Sequence, residues 1–366
     1  MQRRKFLKVA GIGLASTAVA APALAQSTSP TKWRLTTTFP KSLDTLYGAC
    51  ELFAKLVGEL SDQKFQVQVF APGEVVPPFQ VFDAVSTQTI ELGNTASYYY
   101  IGKDPAFAFG TAVPFGLNTR QMNAWLSYGG GLDLLNDLYK SYNVMAIPFG
   151  NTTAQMGGWF RKEIKTLDDI KGLKFRVGGI AGQVLSRLGV VPQQIAPGDI
   201  YPSLEKGTID AAEWIGPYDD EKLGFVKIAP YYYYPGWWEG QAMLHAFINL
   251  EKWESLPKTY KAVLQAACAY ANVDMMAKYD ARNPAALRRL AESGAKLSPF
   301  STDVLEACFK AANEVFDETS KNPEYPMFGK VLEAMKAVRG DQYLWFQLSE
   351  YNFDTFMMIQ QRKKTI

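Results

Sequence analysis

Gly207-Thr208-Ile209-Asp210-Ala211-Ala212-Glu213-Trp214-Ile215-Gly216 is the stretch on which the reading of this chain turns. A helical pattern over 200–205 stops at Gly207, a short apolar strand follows, and a carboxylate beside a tryptophan closes it. A charged residue where a strand gives way to a loop is well placed to meet a ligand. Much earlier, Thr89-Ile90-Glu91-Leu92-Gly93-Asn94 repeats the same order: helix, Thr-Ile-acid, small residues, then a polar residue. Asn94 takes the place of Glu213. Two copies of one device predict two similarly built lobes.

Working outward, strict alternation predicts strands over 33–39 and 65–70, with a helix over 44–61 between them. Strand–helix–strand is the opening of an α/β lobe. A helix over 77–87 leads into the first copy of the device, and a helix over 124–142 and a buried strand over 144–148 complete the lobe. A second lobe begins near Asn151, with strands at 155–160, 173–177 and 192–195 and a helix at 182–188. An aromatic turn over 231–240 precedes a strand, 242–249, expected to cross back into the first lobe. The remainder reads as helices over 256–281, 284–294, 302–319, 328–338 and 341–361, with one short strand at 295–297.

The N-terminus carries Arg3-Arg4-Lys5-Phe6-Leu7-Lys8, a moderately apolar run and the small-x-small site Ala23-Leu24-Ala25. This reads as a twin-arginine export signal over 1–25 rather than a membrane anchor, because the run is too short and too rich in Ala and Gly to span a bilayer. Its loss removes four positive charges and no acid, turning the formal +2 into −2. A near-neutral chain without a basic run is a poor partner for nucleic acid. Cys50, Cys268 and Cys308 are too few and too scattered for a disulfide framework or a zinc site. His245 is the only histidine and falls inside a strand, which makes triads and most metalloenzyme sites unpromising.

Arg176, near a strand end and next to Gly178-Gly179, offers a planar fork matched to a carboxylate, with glycines that let a ligand approach the backbone. An ordinary edge-strand arginine is the competing reading. Glu213 could pair with such an arginine, or give a hard oxygen to a cation with the Gln155 side chain and the Trp214 main-chain oxygen. A 2-oxo acid would add two oxygens to the same ion. Glu239, after Trp237-Trp238, could form with Glu213 the carboxylate pair of a glycosidase. Nothing in the spacing sets these two at a working separation. The helix over 341–361 is apolar around much of its circumference, and is read either as a core helix or as a contact with a second subunit.

Residues 197–213, Pro197-Gly198-Asp199-Ile200-Tyr201-Pro202-Ser203-Leu204-Glu205-Lys206-Gly207-Thr208-Ile209-Asp210-Ala211-Ala212-Glu213, resemble the signature of DctP-type extracytoplasmic solute receptors of TRAP transporters. Leu173-Lys174-Phe175-Arg176 resembles the family's strand with its carboxylate-binding arginine. Gln155-Met156-Gly157-Gly158-Trp159-Phe160, Gly216-Pro217-Tyr218-Asp219-Asp220 and Trp237-Trp238-Glu239-Gly240 resemble the branch that takes 2-oxo acids of the pyruvate type with sodium. The resemblance implies an α/β, two-lobed periplasmic binding protein of type II-like build, with crossing strands, a long connecting helix and a C-terminal helix. Lobe 1 would hold 26–149 with 241–280 crossing back, lobe 2 would hold 150–240 with 281–340, and 341–366 would form a dimer contact.

The resemblance further implies that Arg176 holds the ligand carboxylate, that Gln155 and Trp214 touch ligand, and that Glu213, Trp214 and Gln155 bind Na+, with Ca2+ the alternative. Glu239 would touch ligand or order the cleft, and Asn151 and Tyr100 would line it. The expected protein is a non-enzymatic periplasmic receptor that passes its ligand to membrane permease subunits. A 2-hydroxy acid such as lactate is the other ligand class. Arg176 and Glu213 are expected to reach ligand oxygens only across a shut cleft.

Overall fold

The structure, a computed structural model, describes residues 30–364, so the export signal lies outside the described residues. The first half of the chain runs β1 (Thr31–Thr37), α1 (Leu46–Leu60), β2 (Phe65–Phe70), α2 (Val81–Ser86), β3 (Leu92–Thr95), α3 (Thr119–Tyr128), α4 (Gly131–Lys140) and β4 (Val144–Asn151). It continues with β5 (Trp159–Phe160), β6 (Lys174–Arg176), α5 (Ala181–Arg187), β7 (Val191–Gln193), α6 (Ile200–Glu205), β8 (Ala211–Ala212), α7 (Pro217–Leu223) and β9 (Tyr231–Tyr234). The last part is β10 (Met243–Asn249), α8 (Leu250–Ser255), α9 (Lys258–Glu292), β11 (Lys296–Pro299), α10 (Thr302–Ser320), α11 (Pro326–Leu348) and α12 (Glu350–Lys364).

Two sheets result, one per lobe. Lobe 1 has the order β2-β1-β3-β10-β4, and lobe 2 the order β11-β9-β5-β8-β6-β7. In lobe 1, β1 pairs in parallel with β2 and β3 while β10 runs antiparallel to β3 and β4. In lobe 2, β6 pairs in parallel with β7 and β8 while β5 runs antiparallel to β8 and β9. The two patterns are the same, and so is a detail of the repeated device. Glu91 accepts the backbone N–H of Arg34 at 2.9 Å, and Asp210 accepts that of Lys174 at 2.9 Å. In each case the acid after Thr-Ile pins the neighbouring parallel strand in register. By this register Asn94 corresponds to Glu213 and Thr36 to Arg176.

The chain passes between lobes after β4, again before β10, then along α9, and once more on entering α11. α9 packs on α1 and β4 of lobe 1 and on α7 of lobe 2. The sequence had suggested two helices separated at Pro284. Instead α9 continues through Pro284, giving up one N–H bond, because tertiary contacts hold the helix on both sides of the break. Asn283 Oδ1 accepts the Tyr218 N–H at 3.0 Å, and Arg289 forks onto Glu221 at 2.7 Å.

Four other expectations change. The helix over 124–142 is two helices, because Gly130 is left-handed (φ +75°) and a side chain at Gly131 would meet the Trp125 ring at 2.5 Å. The aromatic turn begins as strand β9 over Tyr231–Tyr234, whose Tyr232 ring stacks on Trp159 at 3.8 Å, and only the remainder turns. The C-terminal helix breaks at Ser349, whose hydroxyl bonds back to the Trp345 carbonyl at 2.9 Å. Finally, 281–340 is not all on lobe 2. There α10 packs on α5, but α11 packs on α3 and α4 of lobe 1, with Phe328 against Phe109.

Candidate functional site

In each sheet one strand is flanked by the next two in the chain, β1 by β2 and β3 in lobe 1 and β6 by β7 and β8 in lobe 2, so chain connections diverge at its carboxyl end. That is where open α/β sheets form ligand crevices. In lobe 2 the strand is β6, and its last residue is Arg176. β8 lies beside it, so Glu213, one residue past β8, falls next to the guanidinium.

The two side chains are almost fully buried, at 1% and 0% exposure, and form an ion pair through Nη1 and Oε1. Nη1 also donates to the Glu213 carbonyl at 2.7 Å, Nε donates to Ile195 O at 3.3 Å, and the Gly178 N–H donates to Glu213 Oε1 at 3.1 Å. The Trp214 ring lies over the guanidinium, 5.1 Å from its centre. Arg176 Nη2 and Glu213 Oε2 are left without partners, as are Gln155 Oε1, Trp214 Nε1 and both carboxylate oxygens of Glu239. Buried polar atoms are nearly always paired, so a local group of unpaired ones marks a place built for something else to bind.

The electrostatics agree. Burial raises the pKa of Glu213 against the pull of Arg176. Burial, and then the charge of Glu213, hold the Glu239 carboxyl well above the usual range, with Tyr98 and Gln155 near enough to oppose the shift. For the arginine, desolvation works against the charge, and the Glu213 carboxylate together with Tyr99, Tyr98 and Glu239 outweighs it. One cation, one anion and a carboxyl reluctant to ionise can accept a small anion together with a metal ion without large net charge. Among the described residues no three His, Cys, Asp or Glu side chains cluster as metal ligands. A cation here would therefore draw on amide and main-chain oxygens, which suits a hard ion.

Several sequence expectations meet here and others do not. Gln155, Arg176, Glu213, Trp214 and Glu239 converge. Asn151 lies at the crossing, its amide nitrogen on Gln241 Oε1 at 2.6 Å and its oxygen on the Thr153 N–H at 2.9 Å. Tyr100 does not line the cleft: its ring packs on Phe82 and Phe107 in the core of lobe 1, and its hydroxyl accepts the Phe82 N–H at 3.1 Å. The neighbouring Tyr98 and Tyr99 face the cleft, and sequence reasoning passed over them. A run of three tyrosines in a 3-10 turn, Ser97–Tyr100, sends successive rings in different directions, and only the fold says which turn inward.

Arg176 and Glu213 stand on the same side of the cleft, as a lobe 2 spanning 150–240 implied. Both belong to lobe 2, and the opposing wall is Phe39, Tyr98 and Tyr99 of lobe 1. Gly178 and Gly179 serve that wall: a side chain there would meet the Tyr98 ring at 2.9 and 2.8 Å. The glycines admit lobe 1 rather than a ligand. A cavity of about 10 Å³ lies between the lobes beside Tyr98, Tyr99, Gln155 and Trp214, room for roughly one water. A larger cavity of about 720 Å³ lies between α3 and the C-terminal helices. Its arginine, Arg120, is already paired with Glu350, so the unpaired groups rather than cavity size identify the site.

Comparison with known proteins shows what the chain resembles. The profile of DctP, bacterial extracellular solute-binding protein family 7, matches residues 36–322. A monocarboxylate 2-oxoacid-binding periplasmic protein of a Nostoc species is 46% identical over 97% of this chain and 99% of its own length. A TRAP transporter solute-binding protein from Bordetella bronchiseptica superposes with a TM-score of 0.90 at 50% identity, over 92% of this chain and 100% of that one. It was solved as a mixed-occupancy dimer, with copurified calcium and picolinate in a bound active site and the other site apo. Another from Pseudoalteromonas atlantica, with bound sodium and pyruvate, gives 0.85 at 35% identity, over 89% and 98% of the two chains.

Proposed function

The chain belongs to the DctP family of bacterial extracellular solute-binding proteins, and on that premise we propose that it captures a small 2-oxo monocarboxylate, pyruvate or a close relative, together with a cation. The observation that carries this is the set of buried, unpaired atoms at the ends of β6 and β8 and in the segment before β5: Arg176 Nη2, Glu213 Oε2 and Gln155 Oε1. Arg176 Nη2 would hold the ligand carboxylate. Glu213 Oε2, Gln155 Oε1 and the Trp214 carbonyl would hold Na+, or Ca2+ in its place, and the ion would take up the keto and carboxylate oxygens of the ligand. Glu239 and the Trp214 ring would close the remaining side. Fold and family are those of receptors, and the chemistry required is binding and release.

The receptor would work in the periplasm, exported by the twin-arginine route, and pass its ligand to the membrane permease of a TRAP transporter. No helix among the described residues is long and apolar enough to cross a membrane. Isothermal titration tests the ligand assignment. Pyruvate in sodium-containing buffer should bind more tightly than lactate, binding should weaken when sodium and calcium are removed, and Glu213→Gln should blunt that cation dependence. Affinity for pyruvate that survives Arg176→Ala unchanged would sink the assignment.

We also infer a homodimer through the C-terminal helices. Leu344, Trp345, Leu348, Tyr351, Phe353 and Phe356 are each more than half exposed. An apolar face of that extent calls for a partner, and the Bordetella relative is a dimer.

A further inference from the structure

The segment Tyr218-Asp219-Asp220 lies outside the ligand cluster, yet its acids are buried. Asp220 serves lobe 2. Its Oδ2 accepts from Trp159 Nε1 at 2.9 Å and Tyr232 Oη at 2.7 Å, and its Oδ1 accepts the Ile215 N–H at 3.3 Å. That ties α7 to the residue directly after Trp214. Asp219 turns the other way. Both its oxygens lie 2.9 Å from the hydroxyl of Thr45 on lobe 1, and Oδ2 also accepts from Tyr279 Oη of α9 at 2.7 Å. One residue earlier on lobe 1, Asp44 pairs with Lys222 of α7 and accepts from Tyr218 Oη at 3.1 Å. Lys278 of α9 bonds the Asp44 carbonyl at 2.8 Å and lies 3.3 Å from its carboxylate.

The start of α1 is thus fastened to α7 by a set of polar contacts that crosses from lobe to lobe, with α9 behind both. Opening the cleft would pull Thr45 from Asp219 and Asp44 from Lys222. Because that cavity between the lobes has room for about one water, ligand must enter with the lobes apart. The apparent dissociation constant then scales inversely with the fraction of molecules able to close.

We propose that Asp44 and Thr45 of lobe 1 and Tyr218, Asp219 and Lys222 of α7 form a closure latch. As positioning residues, they set ligand affinity without touching ligand, and α7 links the latch to the Glu213–Trp214 strand end. The proposal builds on the reading of the cleft as a 2-oxo acid site. Two measurements on the full mature chain test it. In the first, Asp44→Asn and Thr45→Val are titrated with pyruvate in sodium-containing buffer. Each should bind three- to tenfold more weakly with the cation dependence and the preference over lactate intact, and Asp44→Asn combined with Lys222→Met should be no weaker than the worse single change.

In the second, spin labels on cysteines placed at exposed Gln68 of lobe 1 and Lys206 of lobe 2 report the interlobe distance without ligand. Both single variants should shift that distribution from the parent's. A distribution identical to the parent's overturns the latch, and so does a fall in melting temperature with unchanged affinity. A parent protein that does not bind pyruvate overturns the ligand assignment alone, and the label distances still decide the latch.

Discussion

Arg176 and Glu213 hold opposite charges in a place that water does not reach, so each depends on the other. Removing one partner of a buried pair leaves an uncompensated charge and costs about 3–5 kcal/mol, whereas replacing both with apolar residues of similar volume is often neutral. Arg176→Ala should therefore lower stability by about that amount in chemical denaturation, besides abolishing pyruvate binding. Arg176→Met combined with Glu213→Leu should recover most of the stability and none of the binding. If the double variant is less stable than Arg176→Ala, the pair is not the mutual dependence described.

His245 gives a separate test at the same scale. It is fully buried, neither ring nitrogen has a partner, and burial pushes its pKa down to about 3. The unfolded chain takes up the proton near its ordinary value of 6.5, and the folded chain refuses it. Its contribution to stability is thus complete above that pH and is lost as pH falls toward 3, at up to about 1.4 kcal/mol per pH unit. The carboxyl of Asp220, raised to about 7 by burial, acts in the opposite sense. Comparing parent with His245→Phe should isolate the histidine: the variant's stability relative to the parent should rise between pH 6 and pH 4. A difference that is flat with pH would contradict its neutral burial. Of the site residues, Arg176, Glu213 and Gln155 were legible as chemical types at strand ends. Tyr98 was not, since nothing local separates it from Tyr99 and Tyr100.

At the scale of elements, the repeated device shows how one local solution serves two purposes. In lobe 2 the residue after β8 is Glu213, facing Arg176. In lobe 1 Asn94 is satisfied internally, its amide nitrogen on the His245 carbonyl at 3.2 Å and its oxygen accepting from Thr37 and Cys50. The neutral copy became core and the charged copy became cleft. Gly93 of the first copy sits beneath α2, where a Cβ would lie 2.6 Å from Val81 Cγ1 and 3.0 Å from Val85 Cγ2. Gly93→Ala should therefore cost about 1–3 kcal/mol through overpacking, read as a lower denaturation midpoint at unchanged slope. A stabilised variant would mean that α2 is free to shift. Element positions were legible wherever period and punctuation agreed, as in β2 and α6. They were misjudged where long-range contacts overrode a local breaker, as at Pro284, or where a break carried no Gly or Pro, as at Ser349.

At the scale of the molecule, two lobes are joined by α9 and by the chain crossings after β4, before β10 and at α11, and the C-terminal helices extend beyond them. If those helices join two copies, sedimentation should find a dimer at micromolar concentration. Leu344→Glu combined with Phe353→Glu should give a monomer with pyruvate affinity within about twofold of the parent, because neither residue lies in the cleft. A parent that sediments as a monomer contradicts the dimer.

The amino-acid sequence alone determined the α/β alternation, the repeated strand device and the residue types of the candidate site, since each is written in local order: charge, period and spacing. Tertiary structure alone decided that the Arg176 and Glu213 side chains pair directly, that Tyr98 closes over Gly178 and Gly179, that α11 returns to lobe 1, and that Asp44 and Thr45 meet α7. Those facts depend on which strands lie side by side and how one lobe rests on the other. Pairing between residues more than a hundred positions apart is set by the packing of the whole core, which no single stretch of chain encodes.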